Sequence, residues 1–388
     1  MPREHLAIIR GSGGASLVSR PTPLPEPGEL LLAPLVSGLC GTDLQILLGE
    51  RDDPAAVLGH EAVARVVAAG AGVPAGLAEG TLVMLNPTNP DDPGSLIGHI
   101  QDGVFQQRLV ISAGMVAAGL VLPLPVELPL RLAPLIEPLA CVLYAFELMA
   151  RKAPPGPLLI YGDGVVGHLA LLAARSHLPA ATDRIMIHHR SEGMRWSVDN
   201  GMPAERRMLF EGLDGEQCGE CAMALLATPR RATLACVADA VPRLAGGGIV
   251  DLMGGVPAES RLDALPEIAD LAAVRHGNCG GRPRDGAYCE TVSSHGKRLT
   301  LFGHRGAPNR MLQAAARELA QHPCRYGTLV THLLDLPEAA ALMDGYCLTR
   351  RREYRGRRFI KVGIRFPEAA KPPRGAASLL SLSSETQS

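Results

Sequence analysis

The stretch PLLIYGDGVVGHLALLAARS, residues 157–176, combines the three features that decide the fold of this region. Residues 158–161 are a short apolar run that predicts a buried strand, and the apolar residues after Gly167 recur at helical spacing. Between them lies a GxGxxG turn, which lets backbone amides approach a pyrophosphate at a helix N-terminus. The predicted contacts to a dinucleotide in this turn are Gly162, Gly164, Val165, Val166 and Gly167.

Strand and helix patterns alternate after this turn. We expect strands at residues 184–188, 221–227 and 249–255, a helix at 232–244 ended by the glycines 246–248, and a last unit formed by LTLFGHRG (299–306) and NRMLQAAARELAQH (309–322). Alternation of this kind predicts an α/β fold with a parallel, doubly wound sheet covered on both faces.

The residues after the second predicted strand bear on the choice of cofactor. An acidic side chain at this point would bind the ribose 2′-hydroxyl of NAD, whereas this chain has His188, His189, Arg190 and Ser191. Arg190 can pair with a 2′-phosphate and Ser191 can donate a hydrogen bond to it. These residues, with His189, favour NADP(H) over NAD(H). The alternative interpretation is that the basic run faces solvent.

The first 150 residues have the proline, glycine and short apolar runs typical of a β-rich domain. Three segments in it, CGTD (40–43), GHE (59–61) and EPLAC (137–141), contain residue types that bind zinc. A catalytic zinc takes three protein ligands and keeps its fourth position open. Cys40, His60 and Glu137 would supply a thiolate, an imidazole and a carboxylate. Taken singly, each of these residues is better explained as a structural side chain, and only the three together favour a zinc site.

The three segments, with GHEAVARVVAAGAGV at 59–73 and the glycine turn downstream, resemble the medium-chain zinc-dependent alcohol and polyol dehydrogenases. The resemblance implies a GroES-like catalytic domain plus a Rossmann domain, with Cys40, His60 and Glu137 holding one catalytic zinc in the pattern of the polyol branch. The implied organisation is a GroES-like domain at 1–153, an NADP(H)-binding Rossmann domain at 154–328, a return to the catalytic domain at 329–366 and a flexible tail at 367–388.

The same resemblance assigns roles to the neighbours of the zinc ligands. Glu61 is similar to the glutamate that lies near the metal in the family, Asp43 to the residue that orients the zinc-bound histidine, and Thr42 to the hydroxyl that relays the substrate proton. Gln45 stands where many relatives have a histidine. We therefore expect Thr42 and Glu61 to take part in catalysis.

Two features of the sequence bear on metal count and substrate. The region 85–103, where the family's separate structural zinc would require four cysteines, contains no cysteine, so we expect one zinc and no structural zinc. The aromatic content of 3% and the polar loop at 86–101 suit a hydrophilic substrate. A polyol, a sugar or a cyclitol of a secondary-metabolite pathway fits this description.

Composition bounds the class of protein. With 388 residues, 47% hydrophobic and 20% charged, the chain is long enough for two domains. A net charge of -1 gives no reason to expect nucleic acid or a membrane as a partner, and we expect a cytoplasmic homo-oligomer acting on a small polar molecule. The nine cysteines lack framework spacing and are interpreted as reduced thiols. The pair Cys218 and Cys221 is interpreted as buried and unreactive.

One charge run stands apart from these motifs. Six arginines fall between Arg350 and Arg358. An anion site is one interpretation, and a solvated strand edge or subunit rim is the plainer one.

Three functions are compatible with the sequence. The leading hypothesis is a zinc-dependent oxidoreductase that transfers a hydride between NADP(H) and a hydroxyl or carbonyl carbon. The second is reduction of the C=C bond of a cyclitol enone by NADPH. The third is a non-catalytic nucleotide-binding protein, which the set of zinc-binding residue types disfavours.

Overall fold

The computed structural model describes residues 3–11, 13–92, 94–210 and 219–367 of the chain. The predicted tail lies outside the described residues from residue 368 onward, and so does Cys218. The described residues form two seven-stranded sheets with helices packed around them.

The N-terminal part of the chain is mostly strand. Its elements are β1 (Glu4–Gly11), β2 (Gly14–Pro21), β3 (Leu30–Leu39), α1 (Gly41–Leu47), β4 (Glu61–Ala69), β5 (Leu82–Leu85), β6 (Leu109–Ile111), α2 (Ala113–Ala117), β7 (Val121–Pro123) and α3 (Ile136–Ala150), with 3₁₀ turns at Ala75–Leu77 and Leu130–Leu135.

Strands and helices then alternate. The elements are β8 (Gly156–Tyr161), α4 (Val165–His177), β9 (Ala181–His188), α5 (Ser191–Asp199), β10 (Arg206–Leu209), β11 (Cys221–Leu226), α6 (Arg230–Arg243), β12 (Leu244–Asp251), α7 (Leu271–His276), β13 (Asn278–Cys279), β14 (Cys289–Val292), β15 (Arg298–Phe302), β16 (His304–Arg305) and α8 (Asn309–Gln321). The chain ends in α9 (Pro323–Gly327), β17 (Val330–Leu334), α10 (Leu336–Thr349), β18 (Glu353–Tyr354), β19 (Arg357–Arg358) and β20 (Lys361–Arg365).

The nucleotide-type sheet has the strand order β10-β9-β8-β11-β12-β15-β14. All neighbours up to β15 are parallel, and β14 adds an antiparallel edge. The order reverses at β8, so the turn after β8 opens at the topological switch point where such sheets bind ligands. The α/β fold class predicted from the sequence is confirmed.

One local prediction is wrong. Gly246–Gly248 do not end a helix, because α6 already ends at Arg243 and the three glycines lie inside β12. β12 pairs with β11 on one side and β15 on the other, with Gly248 opposite Leu299. Gly246 and Gly247 have no strand partner among the described residues, because the register with β11 shifts between Leu244 and Ile249, and Gly247 has a φ of +86° that favours glycine.

The first sheet is closed by residues from the far end of the chain. Its order is β17-β20-β3-β4-β5-β7, with β6 also on β3. β20 pairs antiparallel with β3 so that Gly363 lies opposite Gly38, and β3 pairs with β4 so that Gly38 lies opposite Glu61. The C-terminal strand is thereby brought within one strand of the GHE segment.

The apolar stretch Leu130–Ala150 lies between the two sheets. It is long and apolar enough to cross a membrane by length and composition, and 83% of that window is buried inside the protein. α3 packs against α4 and α8 and forms one apolar core with the nucleotide-type sheet. This burial is that of a core helix, and it fixes Glu137 in the first turn of α3.

Candidate active site

Asp43 joins the two segments that carry Cys40 and His60. Its side chain is fully buried, and it accepts hydrogen bonds from the backbone N–H of Cys40 (2.8 Å) and of Gly59 (3.1 Å). Its Oδ1 atom also lies 3.6 Å from Nδ1 of His60. Asp43 therefore fixes the start of α1 and the ring of His60 at once, which leaves Nε2 of His60 as the nitrogen available to a metal.

Gly59 places His60 through its backbone. It has a φ of +92°, and a Cβ atom at this position would lie 2.4 Å from the ring of Phe105. Only glycine adopts this conformation in this space without strain.

The candidate ligand atoms of Cys40, His60 and Glu61 lie within 4.8 Å of one another. His60 and Glu61 are buried, and Cys40 is half-buried. Burial lowers the pKa of His60, but the Asp43 carboxylate and the Cys40 side chain outweigh burial and raise that pKa well above its ordinary value. The chemistry of this set, a thiol, an imidazole and a carboxyl group in a space a few ångströms across, is that of a zinc site.

Glu137, the carboxylate expected from the sequence, lies next to this cluster and outside the set of mutually close atoms. Burial raises the pKa of Glu61 despite the nearby Lys361 and His60, and Glu137 adds to this effect. Oε1 of Glu137 accepts a hydrogen bond from the thiol of Cys141 (3.2 Å). Burial and Glu137 together raise the pKa of Cys141, so that thiol stays protonated. Glu137 therefore lies close enough to act electrostatically on Glu61, and its role as a ligand stays a prediction.

Glu61 has a buried ion-pair partner, Lys361, that was not predicted from the sequence. The ammonium group of Lys361 donates to Oε2 of Glu61, and both side chains are at most 1% exposed. Gly38 makes room for the pair, since a Cβ there would lie 2.0 Å from Oε2 of Glu61. The signal in the sequence was a lysine in the apolar closing segment FIKVGIRF, where a charge has to be paired.

His99 brings the polar loop onto the cluster. Its ring centroid lies 5.0 Å from that of His60, and its Nδ1 atom lies 3.4 Å from Oδ2 of Asp53. Burial, with His60 next, lowers the pKa of His99 to about 4, so its imidazole is neutral near pH 7. Asn86, at the start of the same loop, donates to the backbone oxygen of Ala307 in the other half of the molecule (3.0 Å).

The backbone of the predicted nucleotide turn requires two of its glycines. Gly162 has a φ of +110°, and a Cβ on Gly167 would lie 1.9 Å from the backbone oxygen of Gly162. Gly164 is the N-cap of α4 and offers no side chain to the free N–H groups of the first turn. Val165 and Val166 are the first two residues of that helix.

The residues predicted to select the cofactor lie at the end of β9 and the start of α5. β9 ends at His188, Arg190 is the N-cap of α5, and His189, Arg190 and Ser191 are exposed. His188 is fully buried, and neither of its ring nitrogens has a hydrogen-bond partner among the described residues. Asp163, from the glycine turn, lies 3.6 Å from Nδ1 of His188.

Comparison with known proteins decides the family. Residues 26–123 match the alcohol dehydrogenase GroES-like domain. The chain is 30% identical to the glucose 1-dehydrogenase of Thermoproteus tenax over 276 residues, which is 66% of this chain and 76% of that protein. This chain belongs to the medium-chain, zinc-type alcohol and polyol dehydrogenases. It spans about half the length of several other curated relatives that it matches.

Solved structures of dehydrogenases share the fold over nearly the whole chain. Galactitol-1-phosphate dehydrogenase from Escherichia coli is 20% identical with a TM-score of 0.69, covering 92% of this chain and 99% of its own. A candidate zinc-binding dehydrogenase from Sinorhizobium meliloti 1021, bound to NADP, is also 20% identical with a TM-score of 0.69, covering 94% and 100%. The family prediction made from the CGTD, GHE and EPLAC segments is thereby confirmed.

In this dehydrogenase the metal cluster and the nucleotide turn lie near each other. A Cβ on Gly41, the first residue of α1 after Cys40, would lie 3.5 Å from Nη2 of Arg352, and a Cβ on Gly164 would lie 3.4 Å from Nη1 of the same side chain. One guanidinium group therefore spans the gap between the start of α1 and the phosphate-binding turn.

Proposed function

We propose that this protein is a zinc-dependent oxidoreductase that transfers a hydride between NADP(H) and a hydroxyl or carbonyl carbon of a polyol, a sugar or a cyclitol. The observation that carries the proposal is the convergence of Cys40, His60 and Glu61 within 4.8 Å. The proposed zinc ligands are Cys40, His60 and Glu137, with Glu61 beside them. Support also comes from the relatives, which are named as dehydrogenases of glucose and of galactitol 1-phosphate.

A zinc ion bound by these residues would supply Lewis acidity to an oxygen of the substrate. The chain itself supplies a proton route through Thr42, in the first turn of α1, whose Oγ1 lies 3.7 Å from Sγ of Cys40. A hydroxyl can accept the proton of the substrate alcohol while donating its own. Gln45 lies one turn further along α1 and carries a neutral amide. A proton route along α1 therefore has no titratable group at this position.

NADP(H) would supply or accept the hydride from the turn at Gly162, Gly164 and Gly167. Arg190 and Ser191 support the choice of NADP(H), because an exposed guanidinium at the N-cap of α5 can pair with a 2′-phosphate. Asp163 nearby would repel that phosphate, and the ion pair it makes with Arg358 (Nη2 to Oδ2, 3.4 Å) offsets its charge. We also propose the domain bounds expected from the sequence, and we propose that the protein is a homo-oligomer in the cytoplasm.

The substrate screen that tests the proposal uses NADPH carrying deuterium at the transferred position, with ketones of polyols, sugars and cyclitols and with cyclic enones. Label on the carbinol carbon of the product supports the proposal. Label on a ring CH₂ group supports reduction of a C=C bond instead. Binding of NADPH with no turnover of any of these compounds would favour the non-catalytic alternative.

A further inference from the structure

The arginine-rich segment that begins at Arg350 folds as a small hairpin. β18 and β19 pair antiparallel, with Glu353 opposite Arg358 and Tyr354 opposite Arg357. The segment follows α10 and precedes β20, so it belongs to the part of the chain that returns to the first sheet.

The arginines of this hairpin fall into two groups. Arg350 pairs with Glu50 (3.5 Å) and Arg355 with Glu338 (3.0 Å), while Arg351 and Arg357 are exposed. These four arginines fit a solvated edge of the hairpin. Arg352 and Arg358 do not fit it. The latter two are half-buried.

Arg352 lies against the nucleotide turn without a partner of its own. Its guanidinium makes no hydrogen bond or ion pair with any residue in the described part of the chain. Its two terminal nitrogens lie 3.4 Å and 3.5 Å from the positions that Cβ atoms of Gly164 and Gly41 would occupy. The guanidinium is therefore within van der Waals distance of both glycine positions and lies next to the N-terminus of α4.

Arg358 reaches the same turn from the other strand of the hairpin. Its Nη2 atom lies 3.4 Å from Oδ2 of Asp163, the residue between Gly162 and Gly164. Its Nε atom is buried and has no hydrogen-bond partner among the described residues. His188 and Arg358 outweigh the effect of burial and lower the pKa of Asp163, so the turn carries a carboxylate.

A carboxylate in a phosphate-binding turn opposes the binding of a polyanionic cofactor unless a cation lies close to it. A guanidinium is suited to this position, because its planar set of donors can bind two oxygens of one phosphate. The guanidinium groups of Arg352 and Arg358 therefore both lie at the turn that leads into α4, and the first N–H groups of this helix have no side-chain cap.

We propose that the hairpin is part of the dinucleotide site: Arg352 donates hydrogen bonds to the diphosphate of the cofactor, and Arg358 positions Asp163 and neutralises its charge. This inference rests on the proposed function in one respect, that the protein binds a dinucleotide. It adds that the catalytic part of the chain supplies cationic residues to the nucleotide turn, so a bound dinucleotide ties the two halves of the molecule together.

The first test compares the affinities of two ligands by calorimetric titration of the full chain. NADPH contains the diphosphate, and adenosine 2′-monophosphate does not. Arg352→Gln should raise the Kd of NADPH by about tenfold to a hundredfold, as expected for loss of a hydrogen bond to a charged group, and leave the Kd of adenosine 2′-monophosphate within about twofold. Arg352→Lys, which keeps the charge and loses the planar donors, should fall between Arg352→Gln and the parent.

Arg351→Gln and Arg357→Gln are the matched controls, since these exposed arginines lie in the same hairpin, and neither should change either Kd. An unchanged Kd of NADPH in Arg352→Gln, or equal losses for both ligands, would overturn the inference and leave the proposed function standing. A parent protein that binds no dinucleotide would overturn both. A further outcome is competition of phosphate or galactitol 1-phosphate with NADPH in the parent and not in Arg352→Gln. That result would assign Arg352 to a phosphorylated substrate and would also overturn the inference.

The second test concerns Arg358 and Asp163. Arg358→Gln should raise the Kd of NADPH by about tenfold, and adding Asp163→Asn should restore most of that loss, because the charge that needed an offset is gone. The same loss from Arg358→Gln in the presence and absence of Asp163→Asn would show that Arg358 does not act through Asp163.

Discussion

Lys361 and Glu61 form a buried ion pair although 300 residues separate them in the chain. The pairing of β20 with β3 and of β3 with β4 brings them together beside the candidate zinc ligands. Buried pairs of this kind contribute little net stability when intact, and loss of one partner leaves an uncompensated charge.

Lys361→Met should therefore lower the free energy of unfolding by about 3–5 kcal/mol, and Lys361→Met combined with Glu61→Gln should recover part of that loss. Lys152→Met is the control, because Lys152 is 45% exposed and its pair with Glu290 should be worth about 0–1 kcal/mol. Chemical denaturation measures all three. A loss of less than about 1 kcal/mol in Lys361→Met would contradict a buried ion pair between Lys361 and Glu61.

Arg190→Ala should weaken binding of NADPH by about 1.5–3 kcal/mol, the value for a hydrogen bond to a charged group, and leave NADH nearly unchanged. Arg195→Ala is the control, since Arg195 is an exposed residue of the same helix. Fluorescence titration of the two variants with NADPH and with NADH gives the four Kd values. Equal losses for NADPH and NADH in Arg190→Ala would make Arg190 a structural residue.

Thr42→Val should lower kcat by about 10²–10⁴, because valine has the shape of threonine and cannot relay a proton. Zinc content and the Kd of NADPH should stay at the parent values, and Thr42→Ser should keep most of the activity. Steady-state kinetics with metal analysis checks this. A kcat within about twofold of the parent would remove Thr42 from the mechanism and favour addition of hydride to a C=C bond protonated from elsewhere.

Asp251 gives a pH dependence of stability. Its side chain is fully buried at the end of β12, neither carboxyl oxygen has a hydrogen-bond partner among the described residues, and burial raises its pKa from 3.8 to about 7. Below pH 3.8, the ordinary pKa, the carboxyl group of Asp251 is protonated in both the folded and the unfolded chain, so it does not lower the free energy of unfolding. Between the two values only the unfolded chain ionises, and stability from this group falls as pH rises until the folded group ionises too.

Asp251→Asn removes this titration. The advantage of the variant over the parent in the free energy of unfolding should grow from about pH 4 to about pH 7 and level off above that range. Parallel denaturation curves of the two proteins over this range measure it. An advantage that stays constant with pH would contradict the buried, neutral state of Asp251.

The sequence predicted the nucleotide-binding half well, because its signals are local. The glycines of the turn, the apolar run before them and the helical spacing after them all lie within residues 157–176, and they appear as β8 and α4. The error at Gly246–Gly248 arose because β12 continues through a register shift between Leu244 and Ile249, which no local pattern reveals.

The contacts around the candidate metal site depend on residues that are far apart in the sequence. Cys40 and His60 converge as expected, and the carboxylate closest to them is Glu61, while Glu137 is engaged by Cys141. The contributions of Lys361 and Arg352 depend on the order of strands in the first sheet and on contacts across the two halves of the molecule. Sequence spacing carries no information on either.

We propose that the cluster around Cys40 holds one catalytic zinc. Elemental analysis of the purified protein, and of Cys40→Ser, Glu61→Gln and Glu137→Gln, measures this zinc. We expect one zinc per chain in the active protein and a parallel loss of zinc and activity in Cys40→Ser, since metal affinity depends on the thiolate. Two zinc ions per chain, or full activity in protein that contains none, would contradict it.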